Sequence, residues 1–550
     1  MEPQAVVLLV VVAGIYFTRL GDLTLRGEET RRARVAMEML ETGDWVIPRE
    51  QGRLFPDRPP LGNWLIALSM LVTGSTGTVA VRLPTVLATL ATTLVVYGYS
   101  RDFLSRNGAL AAGLAYATMG QILTLGMLAE TEATLTVFVG ASLLLWHLAY
   151  RRGTAAWKTW CLGYTLAALA ALAKGPQGPI YFTSAAVVYL VLRRDWRFLL
   201  SWSHLLGLAT GTAVVAAWQV PFSLAVDWPH VLQTWGHTSV ARFDYSSLGP
   251  VLKHLLTFPC EIFGCLLPWS VWLFAFLNRD FRRSLGSARD PALFLCVAIA
   301  VAFPSCWLAP QARGRYFMPL YPCFAPLVGI VIERAWSPAA SAALASLWRR
   351  YLACAVVGVA ATAVVILGAS LLPPWGPPDL RQSVPFALGY ALAVLFAAAL
   401  LWRARRSSTS YQAVAGVTAL AAFLGLTFNG PILNDAIRRS EDIAEQVTQV
   451  KERLPAGVHL VSLGRAHHPF VYYYGQTIPW LDWPKQGDVP DYDYFCFHSV
   501  RGRRKPLPFD WEEIAVVSCD RYQRANPVDA MVIGRRLSQV GRKPESHETR

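Results

Sequence analysis

The architecture of the chain is clearest in residues 80–125, AVRLPTVLATLATTLVVYGYSRDFLSRNGALAAGLAYATMGQILTL. Two apolar runs, 80–100 and 108–125, flank a short loop that carries Arg101 and Arg106. A hydrocarbon core needs roughly 20 apolar residues of helix to be crossed, so each run is long enough to span a bilayer. Arginine in the loop between them marks that loop as cytoplasmic by the positive-inside rule.

The same alternation extends over most of the 550 residues, of which 54% are hydrophobic, and the mean hydropathy is +0.35. A chain can hide so much apolar surface only if lipid is its solvent. The sequence therefore predicts a polytopic α-helical membrane protein. About thirteen spans are expected, at 5–20, 80–100, 108–125, 131–150, 158–173, 178–192, 203–224, 258–277, 290–309, 316–333, 350–372, 385–402 and 411–427.

Arginine recurs in every second loop and so predicts the orientation of the chain. The arginine-bearing loops are 101–106, 151–152, 193–197, 279–289, 334–350 and 403–406. The loops between them, and the C-terminal segment, are expected on the non-cytoplasmic face. The first span has no basic residue before it and no small-residue cleavage site after it, so we expect it to be retained. The net charge of +14 resides mostly in the cytoplasmic loops and the basic tail, where orientation and anionic lipid explain it, and it indicates no nucleic-acid partner.

Two regions interrupt the membrane pattern. Residues 21–61 form a polar first outer loop whose alternating basic and apolar residues are typical of helices on a membrane surface. Residues 434–550 have the composition of soluble protein, with a predicted helix at 441–454 and predicted strands at 458–464, 491–499 and 512–518. We therefore predict a transmembrane domain over 1–433 and a soluble α/β domain over 434–550. The sequence does not decide whether Cys496 and Cys519 in that domain form a disulfide.

Carboxylates in two of the outer loops are candidates for chemistry. Glu28 and Glu29 follow a Gly27 turn beside two arginines, where an ionised carboxylate could act as a base or metal ligand. The alternative is an acidic pair that starts a helix and is favoured by its dipole. Glu130 and Glu132 lie in a very short outer loop, so at least one should be at membrane depth and face a polar cavity. The alternative for this pair is a solvated loop tip.

Cations in the outer loops are exceptions to the positive-inside rule. Several exceptions from distant parts of the chain could converge on one anionic group, and guanidinium and ammonium donors suit a phosphate. Each one taken alone could instead be snorkelling to the membrane surface. We predict that the set forms a phosphate site, and its members are Arg58, Lys174, Arg242, Arg313 and Arg315.

Four motifs, in order along residues 20–330, resemble those of glycosyltransferases with the C-type membrane (GT-C) fold. That group includes the bacterial lipid A aminoarabinose transferase and the protein O-mannosyltransferases. The motifs are GEETRRARVAMEMLETGDWVIPREQGRLFPDRPPLGNW at 27–64, ALAKGPQGP at 171–179, ARF at 241–243 with LLPWS at 266–270, and RGRYFMPLYP at 313–322. The resemblance implies a GT-C fold, with the C-terminal third similar mainly in architecture.

The resemblance also implies roles for single residues. Glu28 occupies the position of the family's acceptor-activating Asp, and Glu132 that of a second Asp at the start of the fourth span. Both are one methylene longer here, so either the reacting geometry shifts or activity is altered. Arg58 replaces the family's phosphate-contacting Lys, while Arg242 and Tyr316 match other phosphate-binding positions. The role of Lys174, which matches a family Lys-Gly, is not implied.

The implied reaction is transfer of a sugar from a polyprenyl-phosphate donor to an acceptor on the outer face of a bacterial inner membrane. The acceptor is a lipid A-like lipid, a glycan or a protein hydroxyl, and membrane lipids are the remaining partners. No cofactor is demanded by a motif, although Glu28 with Glu132 could hold a divalent metal ion if they approach. His467, His468 and 472–474 are candidate carbohydrate contacts or, as is more usual for aromatic residues, core. Two alternatives remain: a polyprenyl-linked glycan transporter or flippase, although no internal repeat is visible, and a non-catalytic relative that binds polyprenyl phosphate.

Overall fold

The computed structural model describes residues 2–240, 242–243, 245–337, 340–372, 377–406, 409–486, 491–523 and 527–537. The chain divides into two compact units, which we name the helical unit (Met1–Leu23 and Pro56–Ala436) and the mixed unit (Thr24–Phe55 and Ile437–Arg550). Residues 24–55 of the first outer loop thus group with the C-terminal residues. The predicted division at 433/434 into a transmembrane and a soluble domain stays a prediction.

Helix is the main secondary structure. In chain order the α-helices are α1 (Pro3–Tyr16), α2 (Glu28–Thr42), α3 (Leu61–Thr73), α4 (Thr78–Ser100), α5 (Arg106–Ala117), α6 (Gly120–Leu125), α7 (Thr131–Arg151), α8 (Ala156–Lys174), α9 (Gln177–Arg193), α10 (Trp196–Leu199), α11 (Trp202–Ala225), α12 (Trp228–Val240), α13 (Leu248–Cys265), α14 (Arg279–Arg283), α15 (Arg289–Trp307), α16 (Tyr321–Trp336), α17 (Ala342–Leu371), α18 (Val384–Arg406), α19 (Ser410–Thr427), α20 (Leu433–Arg439), α21 (Ile443–Arg453) and α22 (His468–Tyr474). Shorter 3₁₀ segments cover Ser270–Leu277, Gly286–Ala288, Gly314–Leu320 and Pro378–Leu380, and a π-helical turn covers Phe428–Ile432.

All thirteen predicted spans fall on helical segments. Within the described ranges, eight helices are long and apolar enough to cross a membrane, or nine if α13 and the 3₁₀ segment Ser270–Leu277, bent by 114°, count as one span. The predicted run 108–125 is divided between α5 and α6, and the helix that covers the run 178–192, α9, has only 17 residues. The chain is a helical membrane protein, and the count of thirteen spans stays a prediction.

Small residues let the helices of the helical unit pack closely. On α11, a Cβ added to Gly207 would lie 2.7 Å from the Cβ of Trp160 on α8, and one on Gly211 would lie 3.0 Å from the carbonyl oxygen of Tyr164. Without a hydrophobic force between helices in lipid, such close backbone approach is the main source of association. It fixes α8, which also packs against α7 and α9. The C-terminal end of α8 is thereby held beside the N-terminal end of α7.

A fully buried arginine ties the chain that follows α1 to α4. Arg82 is 0% exposed, and its Nη1 donates to the carbonyl oxygens of Leu20 and Leu23 at 3.0 and 2.8 Å. Both carbonyls lie past the C-terminal end of α1, where helical hydrogen bonds have run out. A guanidinium at such a site offers several donors in a fixed fork.

The mixed unit contains a five-stranded sheet formed by β3 to β7. The strands are β1 (Arg49–Glu50), β2 (Arg53–Leu54), β3 (Val461–Leu463), β4 (Trp480–Leu481), β5 (Tyr494–Val500), β6 (Trp511–Ser518) and β7 (Asp529–Arg536). The sheet order is β4-β3-β5-β7-β6, with β3 parallel to β4 and β5, and with β7 antiparallel to β5 and β6; β1 and β2 form a separate hairpin. The core contains α21 and α22, and α2 packs on α22. The predicted C-terminal helix and three strands coincide with α21, β3, β5 and β6.

Cys496 and Cys519, whose pairing the sequence left undecided, do not form a disulfide. Both are buried free thiols. Cys496 is on β5 and Cys519 follows β6, and β7 lies between those strands. Two strand spacings of about 4.8 Å separate them. That separation exceeds the roughly 7 Å limit on Cα atoms that a disulfide can join.

Arg82→Met should destabilise the protein, because it keeps the volume but leaves two buried carbonyl groups without this donor. Each such group costs about 1–3 kcal/mol. We expect a clearly lower melting temperature in detergent. Arg152→Met, which removes an exposed arginine paired with Asp102 at 3.1 Å, should change stability by less than about 1 kcal/mol. Equal melting temperatures for the two variants would contradict this role of Arg82.

Candidate active site

Two helix ends in the helical unit bring opposite charges together. Glu132 lies in the first turn of α7, and Lys174 is the last residue of α8. A carboxylate is favoured at a helix N-terminus and a cation at a C-terminus, because the helix dipole has those polarities. Gly175, with φ +108°, ends α8 in a conformation that side chains disfavour and turns the chain into α9.

The two groups form a buried ion pair. Lys174 Nζ lies 2.5 Å from Glu132 Oε1, and both side chains are 4% exposed. Arg315 Nε approaches the same oxygen to 3.8 Å, while Arg315 Nη1 lies 2.7 Å from Glu130 Oε2. Glu132 is thus the more buried of the two carboxylates, since the side chain of Glu130 at the helix cap is 20% exposed. Their placement at membrane depth stays a prediction. Lys174, whose role the sequence did not indicate, is the direct partner of Glu132.

The ring of Tyr316 is approached by three cations. The distances to the ring centroid are 4.0 Å for Arg242 Cζ, 5.2 Å for Lys174 Nζ and 5.3 Å for Arg315 Cζ. Tyr316 follows Arg315 in the 3₁₀ segment Gly314–Leu320, whose Gly314 N–H donates to Glu261 Oε1 at 2.6 Å. An aromatic face attracts cations through its quadrupole, so the ring holds like charges near one another.

Arg58 joins this site from the turn before α3. Its Nη1 donates to Oγ1 of Thr131, the residue before Glu132, at 2.8 Å. Its Nε lies 3.6 Å from Asp57 Oδ2. Arg313, in contrast, is exposed. The structure therefore gathers most of the predicted site in the helical unit, and we call this group the cationic cluster: Arg58, Lys174, Arg242, Arg315, Tyr316 and Glu132.

A small cavity of about 180 Å³ opens beside the cationic cluster. Lys174 and Arg242 line it with Gln177, Tyr181 and Ser305. The Tyr181 hydroxyl lies 2.6 Å from both Gln177 Nε2 and Ser305 Oγ. The sequence analysis did not single out these three polar residues. Gln177 lies within the motif ALAKGPQGP, which was the one signal that could have found it.

Glu28 belongs to the mixed unit, where it is the first residue of α2. Its Oε1 accepts a bond from Arg31 Nη1 at 2.8 Å, and its Oε2 lies 3.8 Å from Arg32 Nη2. The side chain is 37% exposed. Both interpretations of Glu28 thus have structural grounds, since it starts a helix and also has one carboxylate oxygen, Oε2, that accepts no hydrogen bond in the described part of the chain.

The histidines and tyrosines that were candidate carbohydrate contacts lie on and beside α22. Tyr472 and Tyr474 are buried, and Tyr473 donates to the carbonyl oxygen of Leu25 at 3.2 Å. Burial lowers the pKa of His467 to about 4 and that of His468 well below its usual range. In the described part of the chain, no group of three or more His, Cys, Asp or Glu side chains has the arrangement of a metal site.

Comparisons with known proteins match this description. Residues 57–220 match the family described as dolichyl-phosphate-mannose-protein mannosyltransferase. Undecaprenyl phosphate-alpha-4-amino-4-deoxy-L-arabinose arabinosyl transferase of Pseudomonas aeruginosa LESB58 is 29% identical over 343 residues, 59% of this chain and 58% of that protein. The enzyme of the same name from Edwardsiella ictaluri is 26% identical over 406 residues, 70% of each chain.

The fold is shared with a solved structure, that of ArnT from Cupriavidus metallidurans bound to undecaprenyl phosphate. The two superpose with a TM-score of 0.64 over 96% of this chain and 97% of the other, at 19% sequence identity. The resemblance to GT-C glycosyltransferases that the motifs indicated is confirmed. The matched region spans 58% of the length of the Pseudomonas relative.

The Glu132–Lys174 pair predicts an asymmetric response to mutation. Lys174→Met should destabilise the protein by about 3–5 kcal/mol, because it leaves a buried carboxylate without its nearest cation. Adding Glu132→Gln to that variant should recover most of the loss, since the uncompensated charge is then gone. Thermal unfolding of the single and double variants in detergent measures the coupling. A double variant no more stable than Lys174→Met would show that the pair is not the source of the effect.

Proposed function

We propose that this protein is a glycosyltransferase that moves a sugar from a polyprenyl-phosphate donor to an acceptor at the outer face of the membrane. The observation that carries the proposal is the cationic cluster, in which Arg58, Lys174, Arg242 and Arg315 accompany the carboxylates of Glu130 and Glu132. With Asp57 beside Arg58 included, four cations against three anions still leave an excess of positive charge in the helical unit. An anionic ligand supplied from the membrane fits that excess.

A sugar linked to a polyprenyl phosphate has the required chemistry. Its tail resides in lipid, and its phosphate would be held by guanidinium and ammonium donors, arginine through paired bonds and lysine as a point charge. Breaking the bond from the anomeric carbon to the phosphate oxygen moves negative charge onto the leaving phosphate. Cations already in place stabilise that charge as it develops, without the cost of reorganising solvent.

The names of the relatives support this donor class. The Pseudomonas and Edwardsiella proteins are named for a donor of aminoarabinose on undecaprenyl phosphate, and the ArnT structure that shares this fold contains undecaprenyl phosphate. We extend the donor class, a sugar on a polyprenyl phosphate, to this chain. The acceptor is a lipid A-like lipid, a glycan or a protein hydroxyl.

Two glutamates take the catalytic roles in the proposal. Glu28 is the general base that accepts the proton of the acceptor, because Arg31 holds its Oε1 while its Oε2 accepts no hydrogen bond in the described part of the chain. Glu132 fixes Lys174 and Arg315 around the phosphate. The longer side chain of Glu, where relatives are implied to carry Asp, advances each carboxylate by one methylene.

The location follows from the charge pattern of the loops. We infer a bacterial inner membrane, about thirteen crossings, and a cytoplasmic position for the arginine-rich loops. The motif-bearing loops and the C-terminal soluble domain then face the periplasm. That side is where a donor whose sugar has crossed the membrane would be used.

Removing two cations should weaken donor binding. Arg58→Ala with Arg242→Ala is expected to lower affinity for polyprenyl phosphate by at least about tenfold, since each hydrogen bond to a charged group contributes about 1.5–3 kcal/mol. Mass spectrometry of lipids that co-purify in mild detergent measures the loss. Arg283→Ala, at an arginine 81% exposed, is the control and should retain the lipid. Equal lipid content in all three proteins would discard the phosphate site.

Glu28→Gln should abolish transfer, because it removes the base but almost no volume. A loss of about 10²–10⁴-fold in turnover is expected, with polyprenyl phosphate binding and melting temperature preserved. The assay follows release of undecaprenyl phosphate from its aminoarabinose conjugate with lipid A as acceptor. Wild-type turnover in this variant would refute the assignment of the base. Retained lipid binding with no transfer by the wild-type protein would favour the non-catalytic relative.

A further inference from the structure

One arginine of the mixed unit contacts three different groups. Arg31, one helical turn after Glu28 on α2, directs Nη1 to Glu28 Oε1 at 2.8 Å, Nε to Glu50 Oε1 at 3.5 Å and Nη2 to His468 Nδ1 at 3.4 Å. Burial keeps the pKa of His468 well below its usual range, so its ring is neutral and can accept this bond. The guanidinium is planar, and contacts on three sides fix both its position and its orientation.

Glu50 is the buried member of this group. It lies on β1, its side chain is 6% exposed, and its Oε2 is 2.5 Å from Nη2 of Arg465. Arg31 and Arg465 both lie over the ring of Phe55, each 5.7 Å from its centroid. Glu28, Arg31, Glu50 and Arg465 therefore form a row of alternating charges, with Glu50 between the two arginines.

We propose that Glu50 is a positioning residue of the transfer reaction, which acts on the catalytic carboxylate Glu28 through Arg31. The proposal rests on the proposed function, since it takes Glu28 as the base. The ion pairs of Glu50 are with the guanidinium groups of Arg31 and Arg465. Its effect is to hold Arg31 and to share the charge of that guanidinium.

Charge sharing has a direct chemical consequence. A guanidinium that serves one carboxylate alone stabilises the ionised form of that carboxylate and makes it a weaker base. Arg31 divides its attraction between Glu28 and Glu50, so its hold on the Glu28 carboxylate is weaker than that of a guanidinium with one partner. General base catalysis improves with the affinity of the base for the proton that it removes. Loss of Glu50 should therefore slow proton removal while Glu28 itself remains in place.

The charge of Glu50 is sensitive to pH. It is faced by Arg31 and Glu28 from α2 and by Arg465 from the loop before α22, and Arg53 is its register partner across the β1–β2 hairpin. Burial raises the pKa of Glu50 above its ordinary value despite the two arginines. As the pH falls, Glu50 takes up a proton and loses its charge, so Glu28 becomes the one charged carboxylate of the two that Arg31 contacts. Glu50→Gln imposes the same state at every pH.

The experiment compares wild-type protein with Glu50→Gln from pH 5 to pH 8, using full-length protein in detergent and following release of undecaprenyl phosphate from its aminoarabinose conjugate. At pH 7 to 8 we expect kcat of the variant to be roughly three- to tenfold lower, with KM for the donor within about twofold. The ratio of wild-type to variant kcat should shrink toward one as the pH falls. Glu50→Asp, which keeps the charge on a shorter side chain, should recover part of the loss at neutral pH.

Glu41→Gln is the matched control. Glu41 also lies on α2 and pairs with an arginine of the same helix, Arg34, at 2.7 Å, so this variant should have wild-type kcat across the range. A merely structural role of Glu50 would lower kcat by the same factor at every pH, and that result overturns the proposal. It is also overturned if Glu50→Asp, being folded, is as slow as Glu50→Gln. Failure of the base assignment is recognised separately, because Glu28→Gln would then keep its turnover.

Discussion

The buried ion pair between Glu132 and Lys174 is the constraint around which the helical unit is organised. A carboxylate and an ammonium, both 4% exposed, can remain charged in such a place only if they meet. They meet because α7 begins where α8 ends, and α8 packs directly against α7 and, through Gly207 and Gly211, against α11. The packing of the helices, the polarity of their dipoles and the charges of Glu132 and Lys174 therefore depend on one another. A change in any of them would leave a buried charge without its partner.

The pair does not neutralise its surroundings, and this imbalance is what makes the site a plausible place for chemistry. Lys174 is largely satisfied by Glu132, and Arg315 by Glu130. Arg242 has Tyr316 as its neighbour, and an aromatic ring offers attraction without cancelling a charge. A protein that only needed stability would do better with apolar side chains at these positions. Keeping cations together at this cost is understandable under the proposed function, in which an anion binds among them.

Sequence patterns predicted the helices and most of the site, for different reasons. The lengths of the apolar runs located the helices. They did not reveal that the run 108–125 is divided between α5 and α6 near Met119, because the residues on both sides of that break are equally apolar. Cations on the outer side were exceptions to a rule, and that was enough to expect Arg58, Lys174, Arg242 and Arg315 to converge, although the equally exceptional Arg313 is exposed. The ion-pair partners of the charged side chains could not be predicted from the sequence. Glu50 lies in the polar loop 21–61, and nothing in that loop indicates its partner Arg465, which is 415 residues away.

The two proposed catalytic glutamates are held in ways that suit different roles. Glu132 is buried and bonded at 2.5 Å to Lys174, and Arg315 lies 3.8 Å from the same oxygen, so its charge is committed to positioning cations. Glu28 is more exposed, and the arginine that it contacts also faces Glu50 and His468. A base must release its hold on a cation as it accepts a proton, and a shared guanidinium is easier to release than a dedicated one. The division of labour between the two carboxylates thus follows from how many other groups compete for their cations, and not from the carboxylates themselves.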